Sequence, residues 1–284
     1  MEQDNNRKLE IIIMVELFII FVLVIIMLFT IKKQRTYTIL VHDDDLIIQD
    51  KLNIYNNIDR EIDKIYDEYT SNIALLEQKI LNCESDKKIA YLTFDDGPYN
   101  ITKYFLETLK NNNVQATFFT IGKPSMKETY KKIVESGHIL ANHTYSHKIR
   151  KGIYKSADTF INDVKKQENF LYEITGYKTS LVRFPGGSSQ AGKLKNDIVN
   201  KLHEEGYNYV DWTCETGDGS DSKMAKQGAF EWYKQTCTDD KKVLVLLMHD
   251  YNYSTKNNLD KIIKDLKERG YLILPLSNKS VMVK

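Results

Sequence analysis

Five short clusters in this 284-residue chain have the residue types and spacing to do chemistry. Asp95 and Asp96 stand together in Thr93-Phe94-Asp95-Asp96-Gly97-Pro98, which closes the apolar run Ile89-Ala90-Tyr91-Leu92. Adjacent side chains on an extended chain point opposite ways, so the two carboxylates are expected to do different jobs, one holding a metal and the other acting as a base. Taken alone, the stretch also reads as a surface turn, since Asp, Gly and Pro are the usual turn residues. His143 and His147, four apart, fall on one face of a helical turn and can share a metal ion. Arg183-Phe184-Pro185-Gly186-Gly187, Asp211-Trp212 and His249-Asp250 each follow another apolar run. A lone His or Asp-Trp is more often structural. Five strand ends carrying functional residue types together are a different observation, because α/β active sites are assembled from the C-terminal ends of several strands.

Such an assembly needs a parallel sheet. Short apolar runs at Ile89–Phe94, Ala116–Ile121, Ile139–Asn142, Leu181–Phe184, Tyr207–Thr213, Val243–Met248 and Tyr271–Leu276 alternate with helical stretches at 102–111, 125–136, 157–174, 193–205, 225–237 and 256–269. The run from Val243 to Met248 does not alternate in polarity, which suits a parallel strand covered on both faces. The expected fold class is α/β, a (β/α) barrel of about seven parallel strands.

The remainder of the chain has a different texture. Ile11 to Ile31 is apolar apart from Glu16 and Thr30. That is long enough to cross a bilayer, which takes roughly 20 residues, and it lacks a small-residue cleavage site, so an uncleaved anchor is expected. Glu16 has no obvious partner in a single span. Between Asp43 and Cys83 there is no Pro or Gly, and Tyr55, Ile58, Ile62, Ile65, Tyr69, Asn72 and Leu76 recur at spacings of three and four. This is the pattern of a stalk helix that either dimerises as a coiled coil or folds back on the rest of the chain. The expected organisation is a tail at 1–10, an anchor at 11–31, a juxtamembrane stalk at 32–86 and a catalytic domain at 87–284. Lys and Arg number 40 against 39 Asp and Glu, which gives no basic excess for a nucleic-acid partner. The three cysteines lack Cys-x-x-Cys spacing. Cys214 and Cys237 can meet, one following a strand and the other ending the next helical stretch. An extracellular location leaves a disulfide between them open, with Cys83 left over.

In order, Thr93-Phe94-Asp95-Asp96-Gly97-Pro98, His143-x-x-x-His147, Arg183-Phe184-Pro185-Gly186-Gly187-Ser188, Asp211-Trp212 and Leu247-Met248-His249 resemble the five motifs of the polysaccharide deacetylases of carbohydrate esterase family 4, the chitooligosaccharide deacetylase homology domain. The resemblance runs from Lys87 to the C-terminus. It implies a distorted (β/α) barrel with a groove along its top, and Asp96, His143 and His147 as ligands of one divalent metal ion. Zinc is the first expectation for two imidazoles and a carboxylate, with cobalt, manganese, nickel or iron also accepted. It further implies Asp95 as general base, paired with Arg183, and His249 as general acid, with Asp211 beside it favouring the imidazolium. Pro185 and Gly186 would bind substrate, the Gly186 N–H facing the oxyanion, while Trp212 and Leu247 would line the acetyl pocket. The departure from the pattern is the continuation Thr213-Cys214-Glu215-Thr216-Gly217-Asp218 after Trp212.

Anchor, stalk and sugar-deacetylase motifs together predict a cell-surface N-deacetylase whose polymer contains N-acetylglucosamine, with peptidoglycan the first choice. The alternatives are an O-acetyl esterase or a chitin or poly-N-acetylglucosamine deacetylase of the same fold, and a non-catalytic glycan-binding surface protein. Three basic residues follow the apolar span and two precede it, which favours the C-terminal side as cytoplasmic. The activity requires the opposite, and the catalytic domain is expected outside.

Overall fold

The computed structural model describes residues 45–150, 152–219 and 227–280. The expected anchor at 11–31 and its flanks lie outside the described residues, and no described helix is long and apolar enough to cross a membrane. The chain divides into two compact units, 1–73 and Ala74–Lys284. Helix α1, Asp45–Leu81, supplies residues to both. It is unbroken over 37 residues, as the absence of Pro and Gly allows. Of the expected seam, Ile62 is buried, whereas Ile65 and Asn72 are exposed.

In the larger unit, strands and helices alternate as β1 (Lys88–Gly97), α2 (Thr102–Asn111), β2 (Thr117–Thr120), α3 (Lys127–Glu135), β3 (Ile139–Asn142), α4 (Ala157–Thr175), β4 (Leu181–Val182), α5 (Lys195–Glu204), β5 (Asn208–Tyr209), β6 (Cys214–Glu215), α6 (Ala229–Thr236), β7 (Val243–His249), α7 (Tyr253–Glu268) and β8 (Tyr271–Leu274). The eight strands form one sheet in the order β5-β4-β3-β2-β1-β7-β6, with β8 also paired to β1. Every pairing is parallel. No ladder among the described residues joins β5 to β6, so the expected barrel is a curled sheet left open on that side. β4, β5 and β6 are only two residues long, too short to carry a closing ladder around the circle.

Alternation along β1 separates two cores. Ile89 and Tyr91 face inward with Phe119, Ala141, Leu181, Val210, Val243, Val245 and Leu276. Ala90, Leu92 and Phe94 face outward under the helices, with Phe105, Leu109, Ile133, Leu259 and Ile262. Leu76 and Ile80, on the last turns of α1, join the inward cluster, and the Tyr91 hydroxyl donates to Glu77 at 3.2 Å. The compact unit starts at Ala74, and those last turns contribute to its interior. Cys214 and Cys237 are joined by a disulfide, and Cys83 is free and exposed. α7 begins three residues earlier than its sequence pattern suggests, since the Asn252 side chain caps it by accepting from Ser254 and Thr255 N–H.

Candidate active site

β1 ends in an irregularity. Its register with β2 passes from Asp95↔Phe119 to Gly97↔Thr120, leaving Asp96 as the extra residue of a bulge. Asp96 has φ +68°, a left-handed conformation, and the following Gly97–Pro98 peptide is cis. The expectation that the two carboxylates point opposite ways is corrected here, because the bulge turns Asp96 back toward Asp95's face. Asp95 Oδ2 and Asp96 Oδ1 each lie 3.6 Å from His143 Nε2. Asp96 Oδ1 is also 3.1 Å from His147 Nε2.

The two histidines do not sit on a helical turn. His143–His147 is a loop after β3 in which Thr144 and His147 both have positive φ, +64° and +50°. Asn142 holds the loop by accepting from Thr144 N–H at 2.9 Å, and Asp163 of α4 accepts from Ser146 N–H at 2.8 Å. His143 Nδ1 donates to the Arg183 carbonyl at 2.8 Å, which turns the Nε2 lone pair toward Asp96. Burial lowers the His143 pKa to about 3, so the ring is neutral, as a ligand must be. The candidate ligand atoms of Asp96, His143 and His147 lie within 4.8 Å of one another. Asp96 Oδ1 is buried without a hydrogen-bond partner. An orphaned carboxylate oxygen facing two imidazole nitrogens fits a divalent cation.

Arg183, after β4, is wholly buried and stacked over the Phe119 ring. It donates to Asp95 Oδ1 at 2.8 Å, Thr93 Oγ1 at 2.7 Å, and the carbonyls of Val210 and Asp211 at 3.1 and 3.0 Å. Burial raises the Asp95 pKa, and the Arg183 charge opposes that shift without cancelling it. Gly186 and Gly187 turn with φ of +73° and +86°, conformations that suit glycine. Gly187 N–H donates to Phe184 O at 2.8 Å, whereas the Gly186 N–H finds no acceptor among the described residues. The Pro185 carbonyl accepts from the Tyr154 hydroxyl at 2.8 Å. Trp212 lies against Gly187, where an added Cβ would meet its ring at 3.0 Å. Leu247 is buried on β7.

The expected pairing of Asp211 with His249 is not what the structure shows. Asp211 accepts from Ser188 N–H at 2.9 Å and Ser188 Oγ–H at 2.6 Å, bracing the Arg183–Ser188 loop. His249 Nδ1 instead faces Asp218 Oδ1 at 2.8 Å. Asp218 is fastened in turn by the His249 N–H, the Thr255 hydroxyl and the Asn252 amide, whose Nδ2 donates to its carbonyl at 2.9 Å. Burial lowers the His249 pKa, but the Asp218 hydrogen bond and charge, with Asp95 and Asp96, outweigh it and carry it to about 9. Asp218 was missed because it lies in the stretch after Trp212 that departs from the motif pattern. A signal was present in the glycines that flank it, Gly217-Asp218-Gly219; a Cβ at Gly219 would run into the His249 ring, so glycine lets the loop pass. His249 Nε2 points to Asp96 Oδ2 at 3.9 Å, so Asp96 stands between the histidine pair and His249. Lys123, after β2, donates to the Asp96 carbonyl at 2.8 Å.

The polysaccharide deacetylase family model matches residues 82–210. The chain is 34% identical over 190 residues to a peptidoglycan-N-acetylglucosamine deacetylase of Bacillus cereus, covering 66% of this chain and 68% of that one. This chain belongs to the polysaccharide deacetylase family. It is also 30% identical over 203 residues to a chitin deacetylase of Colletotrichum lindemuthianum, covering 68% of this chain and 79% of that one. Among solved structures, the catalytic domain of a peptidoglycan N-acetylglucosamine deacetylase from Eubacterium rectale is similar with a TM-score of 0.64 and 32% identity. That match covers 69% of this chain and 91% of that one. As a polysaccharide deacetylase the chain is a hydrolase, and Asp96, His143 and His147 form a cluster that could hold a metal ion.

Proposed function

We propose that this polysaccharide deacetylase removes N-acetyl groups from N-acetylglucosamine units of peptidoglycan, with zinc held by Asp96, His143 and His147. The observation that carries the reading is the convergence of Asp95 and Asp96 on His143, with His249 facing Asp96 from the other side. A binding module needs neither a buried base nor an opposing acid. The names of the Bacillus cereus and Eubacterium rectale relatives support peptidoglycan over chitin.

Asp96, His143 and His147 would hold a divalent ion, whose Lewis acidity would be available to an acetamide carbonyl and a water at this cluster. Asp95, held by Arg183 through its other oxygen, takes the proton of the attacking water. The Gly186 N–H donates to the oxyanion, and Asp211 keeps that loop in place through Ser188. His249, kept protonated by Asp218, gives its proton to the departing nitrogen, which leaves as an amine while acetate is released. Trp212 and Leu247 line the acetyl methyl pocket.

The chain would be held at the cell surface by the span 11–31, with residues 74–284 outside and α1 as a stalk able to dimerise. Protease added to intact cells should then digest the catalytic unit, and sedimentation of residues 43–284 should report a dimer. The decisive measurement of activity is acetate release from peptidoglycan, chitooligosaccharide and acetylated xylan, with and without a chelator. Release from peptidoglycan, abolished by chelation and restored by zinc, is expected. Release from acetylated xylan alone would overturn the reading in favour of an O-acetyl esterase.

A further inference from the structure

We propose that Tyr99 and Tyr251 form a sugar-binding subsite for the pyranose unit adjoining the one deacetylated, on the His249 side of the metal position. The proposal rests on the deacetylase reading above and adds to it where the polymer runs. Tyr99 follows the Asp95-to-Pro98 turn of β1, and Tyr251 follows His249-Asp250 of β7. β1 and β7 are hydrogen-bonded neighbours in register, so the loops that leave them lie side by side. The two tyrosine rings meet with centroids 5.2 Å apart and planes inclined at 68°. The Tyr251 ring also reaches the His249 imidazole, centroid to centroid 5.2 Å. An unbroken aromatic path therefore leads from His249 out to Tyr99, which keeps 36% of its surface exposed.

Two further features suit this pair to a ligand. The hydroxyls of Tyr130, Tyr154, Tyr207 and Tyr233 each have a protein partner. Those of Tyr99 and Tyr251 have none among the described residues. The Lys123 ammonium lies over the Tyr99 ring while donating to the Asp96 carbonyl, so the ring is held in place before any ligand arrives. A pyranose with equatorial substituents presents a flat face of axial C–H bonds and a rim of hydroxyls. One aromatic plane can stack on that face while a phenol on a second, steeply inclined plane bonds the rim. The corner made by Tyr99 and Tyr251 offers both groups beside the catalytic histidine.

The test compares the full wild-type chain with Tyr99→Ala and Tyr99→Phe on chitopentaose and on 4-nitrophenyl acetate, which carries no sugar. Tyr99→Ala should raise KM for chitopentaose about tenfold, with a much smaller effect on kcat and on the nitrophenyl ester. Tyr99→Phe, which keeps the stacking plane, should recover most of the loss. Equal losses on both substrates would assign Tyr99 to support of Asp96 through Lys123 and overturn the subsite, as would an unchanged KM. Titration calorimetry of chitopentaose binding gives a readout that needs no turnover, and its Kd should rise about tenfold in Tyr99→Ala. A wild-type chain that releases no acetate from any N-acetylated glycan would overturn the deacetylase reading, while the calorimetry would still decide the subsite.

Discussion

Asp95 and Asp96 are neighbours whose roles separate through their partners. Asp95 is buried against Arg183, while Asp96 offers an unpartnered oxygen to two imidazoles. Asp95→Asn keeps the shape and removes the proton acceptor, so kcat on peptidoglycan should fall by about 10³-fold while bound zinc, measured by elemental analysis, stays near one per chain. Normal turnover in that variant would show that the base is elsewhere. The exchange of Asp211 for Asp218 as the partner of His249 is equally open to trial. Asp218→Asn should lower kcat by about 10²-fold, because the histidine loses the charge that keeps its proton. Asp211→Asn leaves the His249 contact intact and should act through the Gly186 loop, raising KM as well as lowering kcat. If the two variants behaved in the opposite sense, the original pairing of Asp211 with the acid would be restored.

The elements that carry these groups are tied together by small buried polar contacts. Asp218 rides on the segment between β6 and α6, and a disulfide ties Cys214 at the start of β6 to Cys237 just after α6. α7 presents Thr255 to the same carboxylate, and its capping residue Asn252 donates to the Asp218 carbonyl. The connection from α3 to β3 holds a different kind of group. His138 is 5% exposed; its Nδ1 accepts from Ala116 N–H at 3.3 Å, and its Nε2 has no partner. Burial lowers its pKa from 6.5 to about 4. The unfolded chain takes up this proton more readily than the folded one, so the contribution to stability is complete above about pH 6.5 and is lost as pH falls through 4. The loss amounts to about 3 kcal/mol. His138→Asn supplies an acceptor for Ala116 N–H that does not titrate. Urea unfolding between pH 7 and 4 should therefore show a shallower fall in stability than the wild type, and parallel curves would refute the assignment.

For the whole molecule, the inner core continues past the strands into the end of α1. Leu76 and Ile80 pack with Ile89, Tyr91 and Val243, and Ile80 is 2% exposed. A chain beginning at Lys87 would lose both and expose the residues they cover. It should be less stable than one beginning at Ala74 by several kcal/mol, and Ile80→Ala in the longer chain should cost about 3 kcal/mol, both read from urea midpoints. Equal midpoints for the two chains would return the helix end to the stalk.

The sequence by itself determined which residue types stand at the strand ends and in what order, since a parallel sheet writes its buried strands as apolar runs and its chemistry directly after them. From that, the strand and helix alternation was legible, and the family resemblance added Asp96, His143 and His147 as expected ligands and the pairing of Asp95 with Arg183, which the structure brings to 2.8 Å. Tertiary structure alone decided the rest. The bulge at Asp96 and the left-handed Thr144 and His147 depend on how β1, β2 and α4 pack, and local periodicity does not record a positive φ on a non-glycine residue. The choice of Asp218 over Asp211 depends on β6 lying beside β7, a contact between segments some thirty residues apart in the chain. The boundary at Ala74 depends on Leu76 and Ile80 joining a core formed by residues far along the chain, where burial rather than spacing distinguishes a domain's last turns from a stalk.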